Sequence, residues 1–308
     1  MGHGLRMKSK TILRAILPVG SALLLVLASA WGGDAADVEL EKVRTAAEKG
    51  DAAAQYRLGQ AYLRGLGVLK DLPKAYELIR QAAEQGHAEA LGGVGYFYAQ
   101  GIKVPKDLAE AVAWFRKGAE KGGAKAQINL GQALAYGRGV AVDEAEGLQW
   151  IERAAAQGLP HAIYVQGEFH FHGKFGRAQD YGKALPLFLK AAEADDASAQ
   201  NMLGVMFQDG LGMPIDLAQA EAWFRKAAEQ GDAKAQSNLG QLLGPEGPDA
   251  SKHVEALKWL MLANRTNEPV ARNLLNQILR HVPEAEKTEA QRQVAAFRAR
   301  PSAADAPH

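Results

Sequence analysis

The feature that most limits how this chain can fold is a repeat of 36 residues. Counted from Gly50, six units follow one another, and the fourth carries one additional residue in its central loop. The units are 50–85, 86–121, 122–157, 158–194, 195–230 and 231–266. A period of this length is typical of an array of helix–turn–helix units, each of which buries its apolar face against its neighbours.

Each unit is predicted to form two helices separated by a short loop. In the first unit, Ala54, Leu58 and Tyr62 have the spacing of one helix face, and Gly65 follows as a residue that readily ends a helix. The second helix is predicted to begin after an aspartate that caps its free amide groups. The capping aspartates are Asp71, Asp107, Asp143, Asp180 and Asp216. We expect the residues three positions beyond three of these caps to complete capping boxes; they are Glu110, Glu146 and Gln219.

A glycine recurs in the middle of every first helix, where it costs about 1 kcal/mol relative to alanine. The six glycines are Gly59, Gly95, Gly131, Gly167, Gly204 and Gly240. A cost repeated six times indicates a gain in packing, because a missing side chain lets a neighbouring helix approach closely. The second helices carry bulky residues whose tryptophans are Trp114, Trp150, Trp223 and Trp259. We expect the tryptophan or its aromatic pair to fill the space beside the glycine.

The repeated patterns resemble a known family. The first-helix pattern A-x-x-x-L-G-x-x-Y, the loop G-x-G-V-x-x-D-x-x-K-A and the second-helix run A-W-F-R-K-A-A-E-Q-G resemble Sel-1-like repeats, which are relatives of the tetratricopeptide repeat. The resemblance covers residues 50–264. It implies an all-α fold, a right-handed α–α superhelix (solenoid) of about six helix–turn–helix repeats with capping helices at both ends.

The segments outside the repeats are predicted to cap the solenoid. Residues 31–49 resemble the second helix of a preceding unit, and residues 267–299 resemble the two-helix end of bacterial members of the family. The sixth unit lacks the G-x-G-V loop and has G-P-E-G-P-D-A-S-K-H instead. Residues 300–308 are expected to be disordered.

Residues 1–30 have the order of a secretory signal peptide. Four basic residues and no acid precede an apolar run from Ala15 to Ala30, which closes on the A-x-A sequence 28–30. We expect cleavage after Ala30 and a periplasmic or secreted protein. The alternative is an uncleaved leader that anchors the chain in a membrane. Pro18 and Gly20 interrupt the apolar run, which is short for a span.

Composition and motifs exclude several classes of function. The chain has no cysteine, which excludes a disulfide framework, a thiolate metal site and a cysteine nucleophile. Its formal net charge is +1, so we expect no nucleic-acid partner. The sequence has no S-x-x-K, G-x-S-x-G, H-E-x-x-H or Walker A motif. The first of these matters because some Sel-1-like proteins have been described as β-lactamases or penicillin binders. We expect neither catalysis nor a cofactor.

The fourth unit differs from the others by three histidines, His161, His170 and His172. One interpretation is a buried hydrogen bond between Gln166 and His170, which stand where other units carry mostly apolar or aromatic residues. A second is a metal site built from His161 and His172. Because only two ligands would converge there, we expect no metal. A third is that the aromatic-rich run E-F-H-F-H-G-K-F forms a bulge that binds a partner.

Binding is the role expected of a solenoid, because stacked helix pairs form a concave surface. In each first helix, one stripe of residues lies opposite the core face and varies between units. The candidate partner-binding residues are Arg57, Gln60, Arg64, Tyr96, Gln100, Lys125, Asn129, Gln132, Tyr136, Glu168, His172 and Asn238, and the same stripe includes Glu89, His161, Met202, Asp209, Lys234 and Gln241. Amides and tyrosines suit a peptide backbone, and Arg57 with Lys125 suits a carboxylate. The alternative is that these are solvated surface residues.

The sequence therefore predicts a non-catalytic scaffold that binds a protein or peptide on its concave face. One alternative is a hydrolase or binder of cell-wall or β-lactam amides, as described for some members of the family. Another is an adaptor held at the membrane by an uncleaved leader, which is the one case in which we expect a membrane contact.

Overall fold

The chain is described by a computed structural model over residues 34–174, 178–244, 252–279 and 282–300, and these ranges contain fifteen α-helices and no strand. The helices are α1 Asp34–Glu48, α2 Ala52–Arg64, α3 Leu72–Glu84, α4 Ala88–Gln100, α5 Leu108–Glu120, α6 Ala124–Tyr136, α7 Glu144–Ala156, α8 Pro160–His172, α9 Tyr181–Glu193, α10 Ala197–Asp209, α11 Leu217–Glu229, α12 Ala233–Leu243, α13 His253–Asn264, α14 Pro269–Ile278 and α15 Glu284–Ala296.

The helices stack in chain order as six antiparallel pairs, with one further helix before them and two after them. Helices α2 to α13 form the pairs, and each helix packs on the next one along the chain. Helix α1 packs on α2, whereas α14 and α15 both pack on α13. The predicted all-α solenoid of six repeats is confirmed. The leader, the loop of the sixth unit at 245–251 and the tail at 301–308 lie outside the described residues.

The helix boundaries follow from glycine and aspartate side-chain chemistry. The first helices of units one to five end at a glycine in the left-handed region, such as Gly101 with φ 68°. Each following second helix begins after an aspartate whose carboxylate accepts an amide of the first turn, as Asp107 does from Glu110 N at 2.9 Å. The cap satisfies one of the amide groups that have no partner inside the helix.

The predicted capping boxes form only in part: the aspartate accepts the amide three residues on, but its own backbone N–H, which the box would bond to the Glu or Gln side chain, has another partner. The backbone N–H of Asp107 donates to the Tyr98 carbonyl of the preceding helix at 3.0 Å, and Asp143 and Asp216 make the equivalent bond. The carboxylate of Glu110 accepts the indole N–H of Trp114 at 2.8 Å instead. Glu146 accepts from Trp150 at 3.0 Å in the same way.

The repeated mid-helix glycine lies against the second helix of its own unit. A Cβ placed at Gly59 would lie 2.6 Å from Ile79 Cγ1, which is far inside van der Waals contact. The same holds for the other pairs, which are Gly95 with Phe115, Gly131 with Ile151, Gly167 with Phe188, Gly204 with Phe224 and Gly240 with Leu260. We expected the tryptophan or its aromatic pair in this space, and the structure places the second residue of the pair there rather than the tryptophan.

The tryptophans instead lie along the side of the second helices, between polar neighbours one turn away. The indole of Trp150 donates to Glu146, and the guanidinium of Arg153 lies 4.5 Å from the ring centroid. Lys117 over Trp114 and Lys226 over Trp223 repeat the cation–π contact. A buried indole N–H needs a hydrogen-bond partner, and the apolar space beside the glycine offers none. This explains why the tryptophan does not fill that space.

Paired glutamines join each odd-numbered unit to the end of the helix before it. Gln127 donates to the Ala119 carbonyl at 3.2 Å, and its own side-chain oxygen accepts from Gln157 at 2.8 Å. Gln55 with Gln85 and Gln200 with Gln230 form the same pair. The sequence carries a signal for this contact that its analysis missed, since the two glutamines occur together in units one, three and five and are both absent from units two and four.

Neighbouring second helices are bridged by long charged side chains. Arg116 of α5 holds both carboxylate oxygens of Glu146 on α7, at 2.5 and 3.3 Å. Arg225 of α11 makes the same paired contact with Glu255 on α13. These ion pairs are partly exposed, so each is a small contribution to stability beside the buried packing.

Candidate partner-binding surface

The candidate binding residues share one side of the row of first helices. These helices are α2, α4, α6, α8, α10 and α12, and they contact one another between units, as where Ala126 of α6 lies against Gly92 of α4. Most predicted residues are half-buried on these helices, and some are exposed. We call the residues predicted to bind a partner, from Arg57 on α2 to Asn238 on α12, the first-helix surface.

At the first unit, part of this surface is paired within the chain. The Arg57 guanidinium lies 3.7 Å from the Glu39 carboxylate of α1, so it is not simply solvated. Gln60 is half-buried and Arg64 is exposed. Arg57 therefore has a carboxylate partner already, which weakens the expected pairing of Arg57 with Lys125 around a ligand carboxylate.

Beside it, an aromatic and acidic cluster lies between α2 and α4. The ring of Tyr56 stacks on His87, with centroids 5.0 Å apart. Burial, reinforced by the charge of Glu89, raises the pKa of Tyr56 far above its usual value. His87 accepts the Ala90 amide at its Nδ1 and thereby caps α4, and burial lowers its pKa. Tyr56 and His87 therefore stay neutral at physiological pH.

The second and third units present the exposed aromatic part of the surface. Tyr96 on α4 and Tyr136 on α6 are 41% and 40% exposed, which is high for aromatic rings. Asn129 and Gln132, also on α6, are half-buried, as is Lys125; Gln100 at the end of α4 is exposed. Exposed aromatic rings on helices that also carry amide side chains have the composition typical of binding surfaces.

Two cations flank the ring of Tyr136. The Arg138 guanidinium carbon lies 5.1 Å from the ring centroid and the Lys174 ammonium lies 5.2 Å from it. Lys174 also donates to the Tyr136 hydroxyl at 3.4 Å. The ring therefore lies in a positively charged setting that favours a ligand with both an apolar and a carboxylate group.

The fourth unit uses its histidine in a contact with the fifth. His161 Nδ1 lies 3.2 Å from Asp196 Oδ2, and the other oxygen of Asp196 accepts the Ala199 amide and caps α10. The His161 ring stacks on Tyr164, whose hydroxyl donates to Glu168 at 2.7 Å. Burial opposes protonation of His161, but the hydrogen bond and charge of Asp196 outweigh it, so its pKa is raised.

The other interpretations of the fourth unit find little geometric basis. His161 faces Asp196, while His172 lies edge-on to Phe171. Within the described ranges no group of three histidine or acidic side chains is placed to hold a metal ion. Gln166 and His170 are both half-buried rather than fully buried.

At the far end of the surface, amide side chains link the last two first helices. Asn238 of α12 donates to Asn201 Oδ1 of α10 at 2.9 Å. Lys234 and Gln241 of α12 and Asp209 of α10 are exposed, and Met202 is half-buried. Asn238 therefore has a structural partner, whereas its exposed neighbours are free to contact a ligand.

We predict that the pKa of His161 lies above 6.5 and falls below its native value when Asp196 becomes Asn. The Asp196→Asn change keeps the helix cap but removes the charge that favours the imidazolium. Titration of the imidazole ring by NMR measures both values.

The sign of the stability effect follows from the raised pKa. Stability gained from the pair is present below the pKa of the unfolded chain and is lost as pH rises through the folded pKa. Asp196→Asn should therefore lower the melting temperature more at about pH 5.5 than at about pH 8.5. An equal loss at both values would contradict the charged pair.

Comparison with family models places residues 52–263 in one family. The Sel1 repeat model matches residues 52–87, 88–123, 124–159, 160–196, 197–232 and 233–263. Each match begins two residues after the corresponding unit counted from Gly50. The comparison with curated proteins gives no match.

Solved structures of similar fold include a Sel1 repeat protein from Oxalobacter formigenes, with 30% identity, a TM-score of 0.61, and coverage of 73% of this chain and 94% of that one. A protective antigen of uropathogenic Escherichia coli strains is 34% identical over 83% of this chain, with a TM-score of 0.55. This chain covers only 56% of that antigen. An immunity protein of Pseudomonas aeruginosa, 19% identical with a TM-score of 0.52 and 83% coverage of both chains, shares the fold alone. On the match of six consecutive repeats, the chain belongs to the Sel1 repeat family.

Proposed function

We propose that this protein is a non-catalytic scaffold that binds a protein or peptide partner on the first-helix surface. The Sel1 repeat architecture itself supports a role in protein–protein interaction. The observation that carries the finer proposal is the pair of exposed rings, Tyr96 and Tyr136, on neighbouring first helices among half-buried amides. The apolar positions of each unit repeat, while these positions change from unit to unit.

The packing between units supports a concave shape on this side. First helices approach one another directly, as at Gly92 and Ala126, because small residues meet there. Second helices are held apart by pairs of long side chains such as Arg116 and Glu146. A row of helices that is more closely spaced forms the inner side of a curved stack, and the inner side of a solenoid is its usual binding surface.

The same geometry supports a role without catalysis. The loop aspartates would be the first candidates for acid–base chemistry. Each of their carboxylates instead accepts a backbone amide and caps a helix. Asp196 likewise caps α10 while it holds His161. A catalytic site needs a nucleophile or base that is free to act on a substrate, and capping carboxylates are not free in this sense.

The binding proposal predicts that Tyr96→Ala combined with Asn129→Ala weakens the partner complex at least about fivefold, since truncation of an aromatic hot-spot residue costs more than about 1 kcal/mol. Residues 31–308, immobilised, capture the partner from a periplasmic extract, and mass spectrometry identifies it. The dissociation constants of the purified partner with native and variant chains then measure the effect.

A matched control uses exposed residues of the second helices, Glu77→Ala combined with Gln149→Ala, and should leave the constant unchanged. Both double variants should melt within a few degrees of the native chain, because the four side chains lie at the surface. Equal affinity of all three chains would refute the first-helix surface as the binding site. Turnover of a β-lactam or peptidoglycan amide, abolished by one substitution, would refute the non-catalytic role.

We propose that the protein acts in the periplasm or is secreted, with residues 1–30 removed. The support is the charged, apolar and small-residue order of the leader, which lies outside the described residues. Among the helices that the structure describes, none is long and apolar enough to cross a membrane.

The cleavage proposal predicts that protein recovered from the periplasm or medium begins at Trp31. N-terminal sequencing of that fraction measures this directly. A chain that keeps its leader and sediments with membranes would instead support the anchored adaptor.

A further inference from the structure

Asp195 stands where the other five units have a glycine. In those units the residue has a φ between 81° and 92°, as in Gly158 and Gly231, and Asp195 takes the left-handed region too, with φ 66°. A side chain in this region is strained relative to glycine. The geometry of the repeat therefore does not explain why aspartate replaces glycine at position 195, and another interaction of the side chain must.

The carboxylate of Asp195 is the centre of a polar cluster. Its Oδ1 accepts from Gln200 Nε2 and from Gln230 Nε2, each at 3.0 Å. The same oxygen accepts from the Arg300 guanidinium at 3.1 Å, across more than a hundred residues of sequence. The carboxylate of Asp195, which accepts from two amides, is thus also an acceptor for a guanidinium group at the junction between units.

The chain's own C-terminal segment occupies this site as an extended peptide. After α15, the Phe297 ring lies edge-on to Trp259, with centroids 5.6 Å apart. Ala299 lies against Gly231, where a Cβ would come within 3.2 Å of it. The backbone N–H of Arg300 donates to the Glu229 carbonyl at 2.7 Å. Disorder was expected from residue 300 onward, and Arg300 departs from that expectation because these contacts hold it.

Three of the four residues of the segment contact the rest of the protein. Phe297, Ala299 and the Arg300 head group contact the body of the protein, while the Arg298 side chain is exposed and bonds only to carbonyls of its own segment. Main-chain hydrogen bonds combined with places for particular side chains are how proteins recognise extended segments.

We propose that the junction of units five and six is a binding site for an extended peptide that carries an aromatic residue and, three positions later, an arginine. We call it the tail site; it is formed by Asp195, Glu229, Gly231 and Trp259 with the two glutamines. The chain's own residues 297–300 fill it in cis, so a partner segment of the same chemistry must displace them. The tail site is separate from the first-helix surface. The proposal for the tail site does not depend on the function proposed for the first-helix surface.

The test vacates the site in the full-length chain by Phe297→Ala and Arg300→Ala and supplies the segment in trans. The probe is a fluorescein-labelled, C-terminally amidated peptide of residues 294–300, followed by fluorescence anisotropy. We expect saturable binding that weakens at least about tenfold when the peptide arginine at position 300 is replaced by alanine or when Asp195→Gly is added to the chain, because each change removes a charge-assisted hydrogen bond. The native chain should bind the peptide more weakly than the vacated chain, since its own tail competes.

Asp195→Gly also serves as a control on folding. Glycine occupies this position in the other five units, so the variant should keep the circular dichroism spectrum and melting transition of the native chain. In the otherwise native chain it should release the tail, which speeds hydrogen exchange at the Arg300 amide and trypsin cleavage after Arg298. The proposal is overturned if the vacated chain shows no saturable binding at millimolar peptide, the effective concentration of a short tether. It is equally overturned if Asp195→Gly leaves peptide affinity and tail exchange unchanged.

Discussion

The contact on which this structure depends is the one between the mid-helix glycine of each first helix and a large apolar side chain of the second. A helix backbone that lacks one Cβ lets Ile79, Phe115 or their equivalents reach it directly. The approach is repeated in all six units with the partner twenty residues later, or twenty-one where the fourth unit has its additional residue. The packing gained must exceed the helix propensity that glycine loses, which is about 1 kcal/mol per position.

This contact fixes the geometry of a unit and leaves other positions to join units or to bind. Once the glycine and its partner set the angle between two helices, the caps of Asp107 and its equivalents fix where the second helix begins. The Gln127 and Gln157 pair then ties one unit to the helix before it. Side chains outside these roles, such as Tyr96 and Tyr136, are those that differ between units and remain exposed. The proposed function therefore rests on the exposed side chains that have no role in packing or capping.

The period, the two helices per unit, the close contact at the glycine and the aspartate caps could be predicted from the sequence, because each depends on residues close in the chain. Each also recurs: the glycine contact occurs in six units and the aspartate cap of the second helix in five. Which member of the aromatic pair lies against the glycine was not predicted, because the tryptophan is the larger residue and size alone does not show that an indole needs a polar partner. The capping boxes form only in part because Glu110 has a competing donor in Trp114.

Contacts that occur once are the least predictable. No repetition marks His161 with Asp196, and none marks Asp195 with Arg300, which lie 105 residues apart in sequence. The place of Arg57 beside Glu39 likewise depends on how α1 packs on α2, which no local pattern specifies. For the candidate surface, the sequence could assign a helix face but not which of its residues already have partners within the chain.

The central claim, that each unit is built on a glycine seated against one side chain, is tested most directly by the pair Gly59 and Ile79. Chemical denaturation should show that Gly59→Ala destabilises the native chain, by about 1–3 kcal/mol for an overpacked core. In the Ile79→Ala background the same change should cost clearly less, because the contact with Ile79 Cγ1 is gone and the nearest remaining atoms, the Ala75 carbonyl oxygen and the amide nitrogen of residue 79, lie 3.2 and 3.3 Å from the added Cβ. Gly182→Ala, at a helix start with only the Asp180 side chain near it, should not destabilise either chain. An equal cost of Gly59→Ala in both backgrounds would contradict the account.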